Sequence, residues 1–430
     1  MTVSATICRR NSRSIRRSRA PAMVVLLVGL AGTGCDGLLE VEAPSREIPQ
    51  SRDVPANASL LVNGAGADFE CALAHYIVAT GYVTNELEYS YTIPSGWDYE
   101  RRAFQPSTSY YVTVTCDNAD EGTVGIYRPL STARYQGDET LRLLQQWSDA
   151  EVSGRQALIA RAASYSGYSL LLLGEAMCSA AIDLGPELAP NQVFQLADQR
   201  FTTALEASQA AGDANLASWA RVGRGRAQLN LGRKAEASAD VGPVPTGFSF
   251  NATYGSEAQR RWNVVWERNL RHTSATVGTT YREVRFSGVA DPRVRVTNSG
   301  TMGLDRATPL WFQTKYTGMA SPIAVATWEE AQLMIAEAAG GQTAIDIINT
   351  LHTRAGLPAF SASTEGEIQA QVIEERRREL YLESHRLGDV RRYQAPLFPA
   401  PGTSYRNGGT YTGQRCFALP DVERVNNPNI

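Results

Sequence analysis

Two segments of this 430-residue chain concentrate aromatic side chains that could hold a ligand by stacking. One is a Pro- and Gly-bearing loop after the first helical region, and the other lies within residues 243–321. Trp and Tyr rings stack against the C–H faces of sugar rings, while nearby polar side chains bind the hydroxyl groups. The alternative is that these rings form small cores inside their own loops. The candidate ligand-binding residues are Tyr89, Tyr91, Trp97 and Tyr99 in the first segment and Tyr281, Trp311 and Tyr316 in the second.

Hydrolytic chemistry finds little support in the sequence. A glycoside hydrolase needs two carboxylates across a cleft, one of them with a raised pKa. The nearest candidates are Glu86 with Glu88 and Asp98 with Glu100, but any acidic protein offers such pairs. A GxSxG nucleophile motif, a P-loop and an HExxH zinc motif are absent from the sequence. We therefore expect a protein that is not an enzyme.

Two histidines, His352 and His385, have no second ligand at a spacing that a metal ion would need. We expect both to be packed or capping side chains. The sequence predicts no metal site and no cofactor.

The charge balance argues against a nucleic-acid partner. The chain has 41 Lys and Arg residues against 44 Asp and Glu residues, and its formal net charge is −3. Residues 1–34 contain arginines and no acidic residue, so the rest of the chain is more acidic than that figure suggests. Neutralising a phosphate backbone requires clustered cations, and no basic stripe is present.

The N-terminus has the features of a bacterial lipoprotein signal peptide. An Arg-rich stretch is followed by a short apolar segment over residues 22–30 and by small residues directly before Cys35. The apolar segment is far shorter than the roughly 20 residues of a membrane-spanning helix. We expect a signal peptide over residues 1–34, lipidation at Cys35 and a single domain over residues 35–430. The alternative is ordinary secretion with Cys35 unmodified.

Four cysteines remain once Cys8 is removed and Cys35 is acylated. In an oxidising envelope they allow three pairings, and none is spaced as CxxC. We favour a bond between Cys71 and Cys178, because both lie in helical-looking apolar segments, and buried free thiols are the alternative. The four candidates are Cys71, Cys116, Cys178 and Cys416.

The body of the chain is predicted to be mainly α, with helix pairs of the tetratricopeptide type, long aromatic loops and a few short strands. Within residues 156–183, side chains from Leu158 to Leu172 recur at three- and four-residue intervals, and the later segments continue the helical composition. Small residues, among them Gly223, would let neighbouring helices approach closely. The predicted helices cover residues 156–183, 192–211, 214–231, 328–339, 343–355 and 368–385.

Local signals mark helix starts and strand candidates. Thr327 with Glu330 and Thr364 with Glu367 have the spacing of capping boxes, in which the Glu side chain reaches back to the cap amide. Alternating runs predict short strands or extended loops at residues 111–114 and 293–296.

The C-terminal third resembles the signature of the SusD/RagB family. Three runs carry the resemblance: TWEEAQLMIAEAA from Thr327, IDIINTLHTRAGLP from Ile345 and IEERRRELYLESHRLGDVRRY from Ile373. The lipoprotein-like start and the ending, Leu419-Pro420 followed by Asn-Pro-Asn, are also similar. Residues 243–321 match least, as expected where members of the family bind different ligands.

This resemblance implies an outer-membrane lipoprotein that sits over a SusC-like TonB-dependent β-barrel transporter. Such proteins capture oligosaccharides, or in some branches peptides, and deliver them for import without converting them. Their fold is predominantly α-helical, and their ligand-contacting aromatics come from an early loop and from the variable middle. The alternative function is a lipid-anchored tetratricopeptide-like scaffold that binds only protein.

The charged signature helix over residues 368–385 allows two interpretations. Its side chains could form a solvated face, with Glu374 and Arg378 as a favourable pair four residues apart. They could instead form a buried network in which arginines clamp carboxylates and helix ends, joined by Asp389 and by Arg391 or Arg392. Both interpretations assign the helix to structure.

Overall fold

Helices supply most of the regular structure in the computed structural model of the chain, which describes residues 52–107, 109–117 and 123–430. The predicted signal peptide over residues 1–34 and the predicted lipidation site Cys35 lie outside the described residues. The predicted fold class, mainly α with a few short strands, is confirmed. The longer helices are α1 (Ala58–Thr84), α2 (Pro94–Glu100), α3 (Tyr127–Gln146), α4 (Arg155–Ala176), α5 (Pro190–Ala211), α6 (Ala214–Asn230), α7 (Lys234–Val241), α8 (Trp328–Ala339), α9 (Gly341–Ala355), α10 (Glu365–Glu379), α11 (Arg386–Arg392) and α12 (Asp421–Asn426).

The helical core is built around α1. Residues 69–84 of this helix are all buried, as expected of a largely apolar helix that neighbours surround. α3 and α4 pack against α1, and α4 through α8 then pack in chain order, each against the helix before it. This sequential packing of helix pairs is the arrangement that the helical pattern predicts.

Glycines let α4, α5 and α6 approach closely. The ring of Phe201 on α5 is fully buried. A Cβ atom added at Gly167 of α4 would lie 2.9 Å from that ring, and one added at Gly223 of α6 would lie 2.3 Å from it. Both distances are too short for real carbon atoms, so the prediction of close approach at Gly223 is confirmed.

Several helix ends follow the sequence signals. α5 stops at Gly212, which has φ 66°, and the Asp213 side chain accepts hydrogen bonds from the first backbone amides of α6. α9 stops at Gly356 with φ 68°. The predictions for residues 192–211, 214–231, 328–339 and 343–355 are each confirmed to within two residues.

One capping box is complete and the other is not. At α10 the Thr364 hydroxyl accepts from the Glu367 amide, and the Glu367 carboxylate accepts from the Thr364 amide. At α8 the Thr327 hydroxyl accepts from the Glu330 amide at 3.0 Å. The Glu330 carboxylate does not reach back to the cap, since it is buried 2.9 Å from Nε2 of His385.

Two predicted helices end earlier than the sequence pattern indicates. The helix predicted over residues 156–183 ends at Ala176, because Cys178 donates its amide to the Phe417 carbonyl at 2.8 Å. The helix predicted over residues 368–385 ends at Glu379. Leu382 and Ser384 then have φ 57° and 72°, which breaks the helix before α11 begins.

The strands are short, and in the described chain they form antiparallel two-stranded ladders. The run predicted as a strand at residues 111–114 is a single helical turn, Tyr110–Thr113, and of residues 293–296 only Val296 enters a strand. The strands are β1 (Leu87–Tyr89), β2 (Ala180–Ala181), β3 (Glu187–Leu188), β4 (Ser249–Ala252), β5 (Ala275–Val277), β6 (Arg285–Phe286), β7 (Val289–Ala290), β8 (Val296–Met302), β9 (Pro309–Gln313) and β10 (Ile323–Thr327). The pairs are β1 with β5, β2 with β3, β4 with β10, β6 with β7 and β8 with β9.

The disulfides differ from the favoured pairing. Cys71 on α1 is bonded to Cys116, and Cys178 is bonded to Cys416. A Cys71–Cys178 bond is therefore wrong, as is the alternative of free thiols. The helix that suggested it stops before Cys178, and the backbone pairing of residue 178 with Phe417 places Cys416 beside it, with the two Cα atoms 5.1 Å apart.

The charged helix α10 faces inward, which confirms the buried-network interpretation. Glu375, Arg376 and Arg378 are buried, and Arg376 donates to Asp389 at 2.9 Å. Burial by itself would raise the pKa of Asp389, but the Arg376 and Arg392 guanidiniums hold it well below its usual range. We call this set the C-terminal ionic network. Its members are Asp291, Arg293, Glu337, Glu374, Glu375, Arg376, Arg378, Glu379, Asp389 and Arg392.

Arg391, in the same region, binds the end of a helix. One guanidinium nitrogen of Arg391 donates to the carbonyls of Gly174, Glu175 and Met177, at the C-terminus of α4, at 3.0, 2.6 and 2.9 Å. His352 is buried with Nε2 2.9 Å from Glu375, and His385 is also buried. Both histidines are packed side chains, as predicted.

Candidate ligand-binding site

Four of the seven predicted ligand-binding rings are buried. Tyr89, Tyr99, Tyr281 and Tyr316 are 0%, 3%, 1% and 3% exposed, so they cannot form a solvent-facing platform. For these four, the alternative of rings packed into a core describes the structure.

Hydrogen bonds and ring contacts explain why these tyrosines turn inward. The Tyr99 hydroxyl donates to the Val124 carbonyl at 2.6 Å, and the Tyr316 hydroxyl donates to the Leu382 carbonyl at 2.9 Å. Tyr281 stacks on Tyr381 with ring centroids 4.9 Å apart. The hydroxyl–carbonyl bonds satisfy groups that burial would otherwise leave unpaired.

The other three predicted rings, Tyr91, Trp97 and Trp311, are half-buried at the surface. The Trp97 indole N–H donates to the Tyr91 carbonyl at 3.2 Å, and the Tyr91 ring meets the His272 ring edge-on at 5.1 Å. These contacts fix both rings of the early loop.

Backbone and side-chain hydrogen bonds join the two predicted aromatic segments. Tyr89 of β1 pairs with Ala275 of β5, and the Asn269 amide donates to the carbonyls of both Ala275 and Trp311. The Thr276 hydroxyl accepts from the Trp311 amide at 2.7 Å. The early loop and the variable middle therefore lie in one structural unit.

The turn between β8 and β9 closes on the early loop. The Asp305 amide donates to the Ser90 carbonyl at 3.0 Å. A Cβ atom added at Gly303 would lie 2.5 Å from the Ser90 side chain, so this close approach requires glycine. Met302 and Leu304, in this turn, are exposed.

Trp311 is oriented by a cation that is itself held in place. The Arg282 guanidinium lies 5.6 Å from the centroid of the Trp311 ring and donates to Glu88 at 2.9 Å. A guanidinium over an indole is attracted by the negative face of the ring. The Glu88–Arg282 pair thus supports a rigid Trp311 ring.

Trp311 lines a cavity of about 520 Å³. A neighbouring cavity of about 360 Å³ shares Pro292, Arg295 and Thr314 with it. We call the two together the β8–β9 groove. Besides Trp311, its polar lining includes Glu283, Arg285, Arg295, Thr297, Thr314, Lys315, Glu329, Glu379 and Glu383.

Arg295 and two threonines are the groups of the groove best placed to bind a ligand. Arg295 is exposed, and its guanidinium has no hydrogen-bond or ion-pair partner among the described residues. Thr297 and Thr314 add hydroxyl groups at the same wall. The Thr314 hydroxyl donates to the Arg295 carbonyl at 3.2 Å and can still accept a hydrogen bond. A half-buried indole beside the free Arg295 guanidinium can stack on a ring and bind its hydroxyl or carboxyl groups.

Most acidic side chains of the groove are already occupied. Glu379 binds Arg293 at 3.0 Å, Glu383 binds Lys315 at 2.7 Å and Glu329 binds Arg354 at 2.8 Å. Burial raises the pKa of Glu379, and Arg293 opposes that shift. These carboxylates fix the walls of the groove.

The carboxylate pairs that hydrolysis would need do not face the groove together. Glu86 is buried and accepts the Leu382 amide at 2.9 Å, and burial raises its pKa to about 7. Glu100 is also buried and binds Arg406 at 2.8 Å. Each predicted pair therefore has one member inside the core.

Sequence reasoning missed the polar wall. Arg295 and Thr297 alternate with Val294 and Val296, and the alternation over residues 293–296 predicts a short strand or extended loop but not a ligand site. The polar residues of that alternation indicate that one face of the segment is open to solvent.

In the described parts of the chain, no cluster of three or more His, Cys, Asp or Glu side chains is arranged to hold a metal ion. No helix between residues 52 and 430, where the structure describes the chain, is long and apolar enough to span a membrane.

Comparisons with known proteins show which family model part of the chain matches. Residues 330–419 match the family model described as the SusD family. No curated protein sequence matches the chain.

Solved structures share the fold over almost the whole chain. A SusD superfamily protein from Parabacteroides distasonis ATCC 8503 is 14% identical, with a TM-score of 0.66 over 89% of this chain and 98% of that one. A SusD-like carbohydrate binding protein from Bacteroides vulgatus ATCC 8482 is 14% identical, with a TM-score of 0.62 over 88% and 97%. A SusD homolog from Bacteroides thetaiotaomicron VPI-5482 is 12% identical, with a TM-score of 0.66 over 89% and 98%. At these identities the likeness shows a common fold.

Proposed function

We propose that the chain is a member of the SusD/RagB family that captures a nutrient oligosaccharide in the β8–β9 groove. The observation that carries the proposal is Trp311, a half-buried indole held by Arg282 in a groove that the unpaired guanidinium of Arg295 also lines. This is the combination that sugar binding requires. One structural relative is described as a carbohydrate binding protein, which supports the same ligand class.

The proposed role in the cell is capture and delivery without chemical conversion. The mature chain would be the single domain over residues 35–430, anchored by lipid at Cys35 in the outer membrane. It would pass its ligand to a SusC-like TonB-dependent transporter. The match of residues 330–419 to the SusD family model and the lipoprotein-like N-terminus support this role.

The test of ligand binding is a glycan and peptide array, followed by titration of the best binder. Trp311→Ala should weaken binding about tenfold or more, since ring stacking is lost. Trp147→Ala is the matched control, because Trp147 is also half-buried but lies at the end of α3, outside the groove. Equal weakening by both substitutions, or binding of peptides alone, would contradict the proposed glycan site.

The anchor and the partner have separate tests. Cys35→Ala should abolish labelling by a radioactive fatty acid and release the protein from outer-membrane fractions. A pull-down of the tagged full chain from native membranes should recover a TonB-dependent β-barrel. Recovery of soluble proteins without a barrel would favour the scaffold alternative. Release of shortened sugars from a bound oligosaccharide would contradict the absence of catalysis.

A further inference from the structure

A second cavity, of about 560 Å³, lies where the end of α4, the start of α5, α11 and the segment around Cys416 meet. It shares no lining residue with the β8–β9 groove. Its charged and amide-bearing lining includes Glu175, Asn191, Asn230, Arg391, Arg392 and Arg415.

The cations of this cavity are poorly matched by carboxylates. Arg391 donates only to backbone carbonyls, at the end of α4. Arg415 donates to the Ala395 carbonyl at 2.7 Å, and no carboxylate pairs with it among the described residues. Arg392 is neutralised by Glu337 and Asp389. Two of the three guanidiniums therefore lack an anionic partner.

The one carboxylate of the lining is committed elsewhere. Glu175 is buried and accepts two hydrogen bonds from Arg226, at 2.6 and 2.9 Å, and one from Asn230 at 2.9 Å. Because its oxygens are occupied, it forms no ion pair with Arg391 or Arg415 among the described residues. Burial lowers the pKa of Arg391, and the nearby charge of Glu175 opposes that shift without cancelling it.

The fold holds the two unmatched guanidiniums close to the same backbone. Arg391 binds the Met177 carbonyl, and the next residue, Cys178, donates its amide to Phe417 and is disulfide-bonded to Cys416. Arg415 precedes that disulfide directly, and its carbonyl partner Ala395 lies four residues after Arg391. Both side chains are thus tied to one hydrogen-bonded junction, which preorganises them.

The first turn of α5 adds a backbone donor. α5 begins at Pro190, which has no N–H, and the Gln192 and Val193 amides donate to the Ala189 carbonyl, which leaves the Asn191 amide as the donor of this turn. Asn191, in that turn, lines the cavity. The positive end of the helix reinforces the two arginines.

We propose that this cavity binds an oxyanion, a phosphate or sulfate group that is either free or esterified to a sugar, with Arg391 and Arg415 as its charged ligands. Planar guanidiniums match such oxygens with paired hydrogen bonds. The cavity volume leaves room for a sugar attached to the anion. This site is independent of the glycan groove.

The test is calorimetric titration of the full chain at low ionic strength with sodium phosphate and with sodium sulfate. Sodium chloride at equal ionic strength controls for screening. At least one of the two oxyanions should bind with one-to-one stoichiometry, and Arg415→Gln should weaken it about tenfold or more. Arg221→Gln is the matched control, because Arg221 is also half-buried with a backbone carbonyl, that of Asp240, as its partner.

Further arms separate the sources of the anion. Glucose 6-phosphate and glucose 6-sulfate, titrated beside glucose, distinguish an esterified ligand from a free one. Tighter binding of an ester than of its free anion, lost in Arg415→Gln, would identify a sugar ester. No binding of any of these anions beyond chloride, or equal weakening by Arg221→Gln, would overturn the proposal. Arg415→Lys should retain part of the affinity, since it keeps the charge without the fork.

Discussion

The C-terminal ionic network and the β8–β9 groove use the same residue types for opposite purposes. In the network, Arg376 and Asp389 are buried and bind each other, so their charges neutralise each other and stabilise the fold. In the groove, Arg295 is exposed and unpaired in the described chain. Arg293 connects the two regions, because it lines the groove and binds Glu375 and Glu379.

The difference shows that burial decides what a charged side chain does. Breaking a buried ion pair leaves a charge without water or a partner, which typically costs about 3–5 kcal/mol of unfolding free energy. An exposed ion pair contributes roughly 0–1 kcal/mol. Substitutions in the network should therefore affect stability, and substitutions in the groove should affect binding.

The largest expected effect comes from Asp389→Asn. It keeps the shape of the side chain but leaves Arg376 buried without its anion, so we expect a loss of about 3–5 kcal/mol in urea unfolding. Arg354→Ala, which breaks the exposed pair with Glu329, should cost no more than about 1 kcal/mol. Similar losses in both variants would remove the distinction between the two regions.

The next effect concerns the pH dependence of stability at Glu86. Its pKa is raised to about 7 in the folded chain because it is buried, so the folded state retains a proton that the unfolded state releases above about pH 4. Stability should therefore fall as pH rises from 5 to 7, by up to about 1.4 kcal/mol per pH unit. Glu86→Gln should flatten this decline in urea unfolding at pH 5, 6 and 7. An unchanged slope would show that Glu86 is ionised in the folded state.

A smaller change in unfolding free energy is expected at Tyr316, which was predicted to bind ligand and lies in the core. Tyr316→Phe removes the hydroxyl that binds the Leu382 carbonyl, so we expect a loss of about 1 kcal/mol in thermal or urea unfolding. Ligand affinity on the array should not change. Weaker ligand binding at unchanged stability would return Tyr316 to the ligand site.

The smallest effect on stability is expected in the groove. Arg295→Gln removes an exposed, unpaired cation, so the unfolding free energy should stay within about 0.5 kcal/mol. Affinity for the glycan found by the array should fall several-fold, measured by titration. Arg306→Gln, at another exposed arginine outside both cavities, should change neither quantity.

Sequence signals predicted local structure well where a residue type has one strong conformational preference. Gly212 and Gly356 end helices because glycine adopts positive φ without strain, and Thr364 with Glu367 starts α10 through a complete capping box. The resemblance to the SusD/RagB signature was recognisable because its three runs are continuous in sequence, and they lie along α8, α9, α10 and α11.

The predictions that were wrong concern four tyrosines and the Cys71–Cys178 bond, and in both cases the residue type is compatible with two different environments. A tyrosine in a loop can face solvent or fill the core, and Tyr99 differs from Tyr91 only in where the chain folds over it. Cys178 lies after an apolar helix, but its disulfide partner is Cys416, which is 238 residues away in sequence. The local sequence pattern does not show which distant segment of the chain packs against a given residue.

The sequence alone determined that the chain is mainly helical, where several of its helices begin and end, and that its C-terminal part resembles the SusD family. These features depend on contacts within a few residues, which spacing along the chain records. The tertiary structure alone decided that the charges of α10 are buried, that four tyrosines are enclosed, and that Trp311 and Arg295 line one groove. Those outcomes depend on which distant surfaces exclude water from a side chain, and desolvation is a property of the folded assembly of segments.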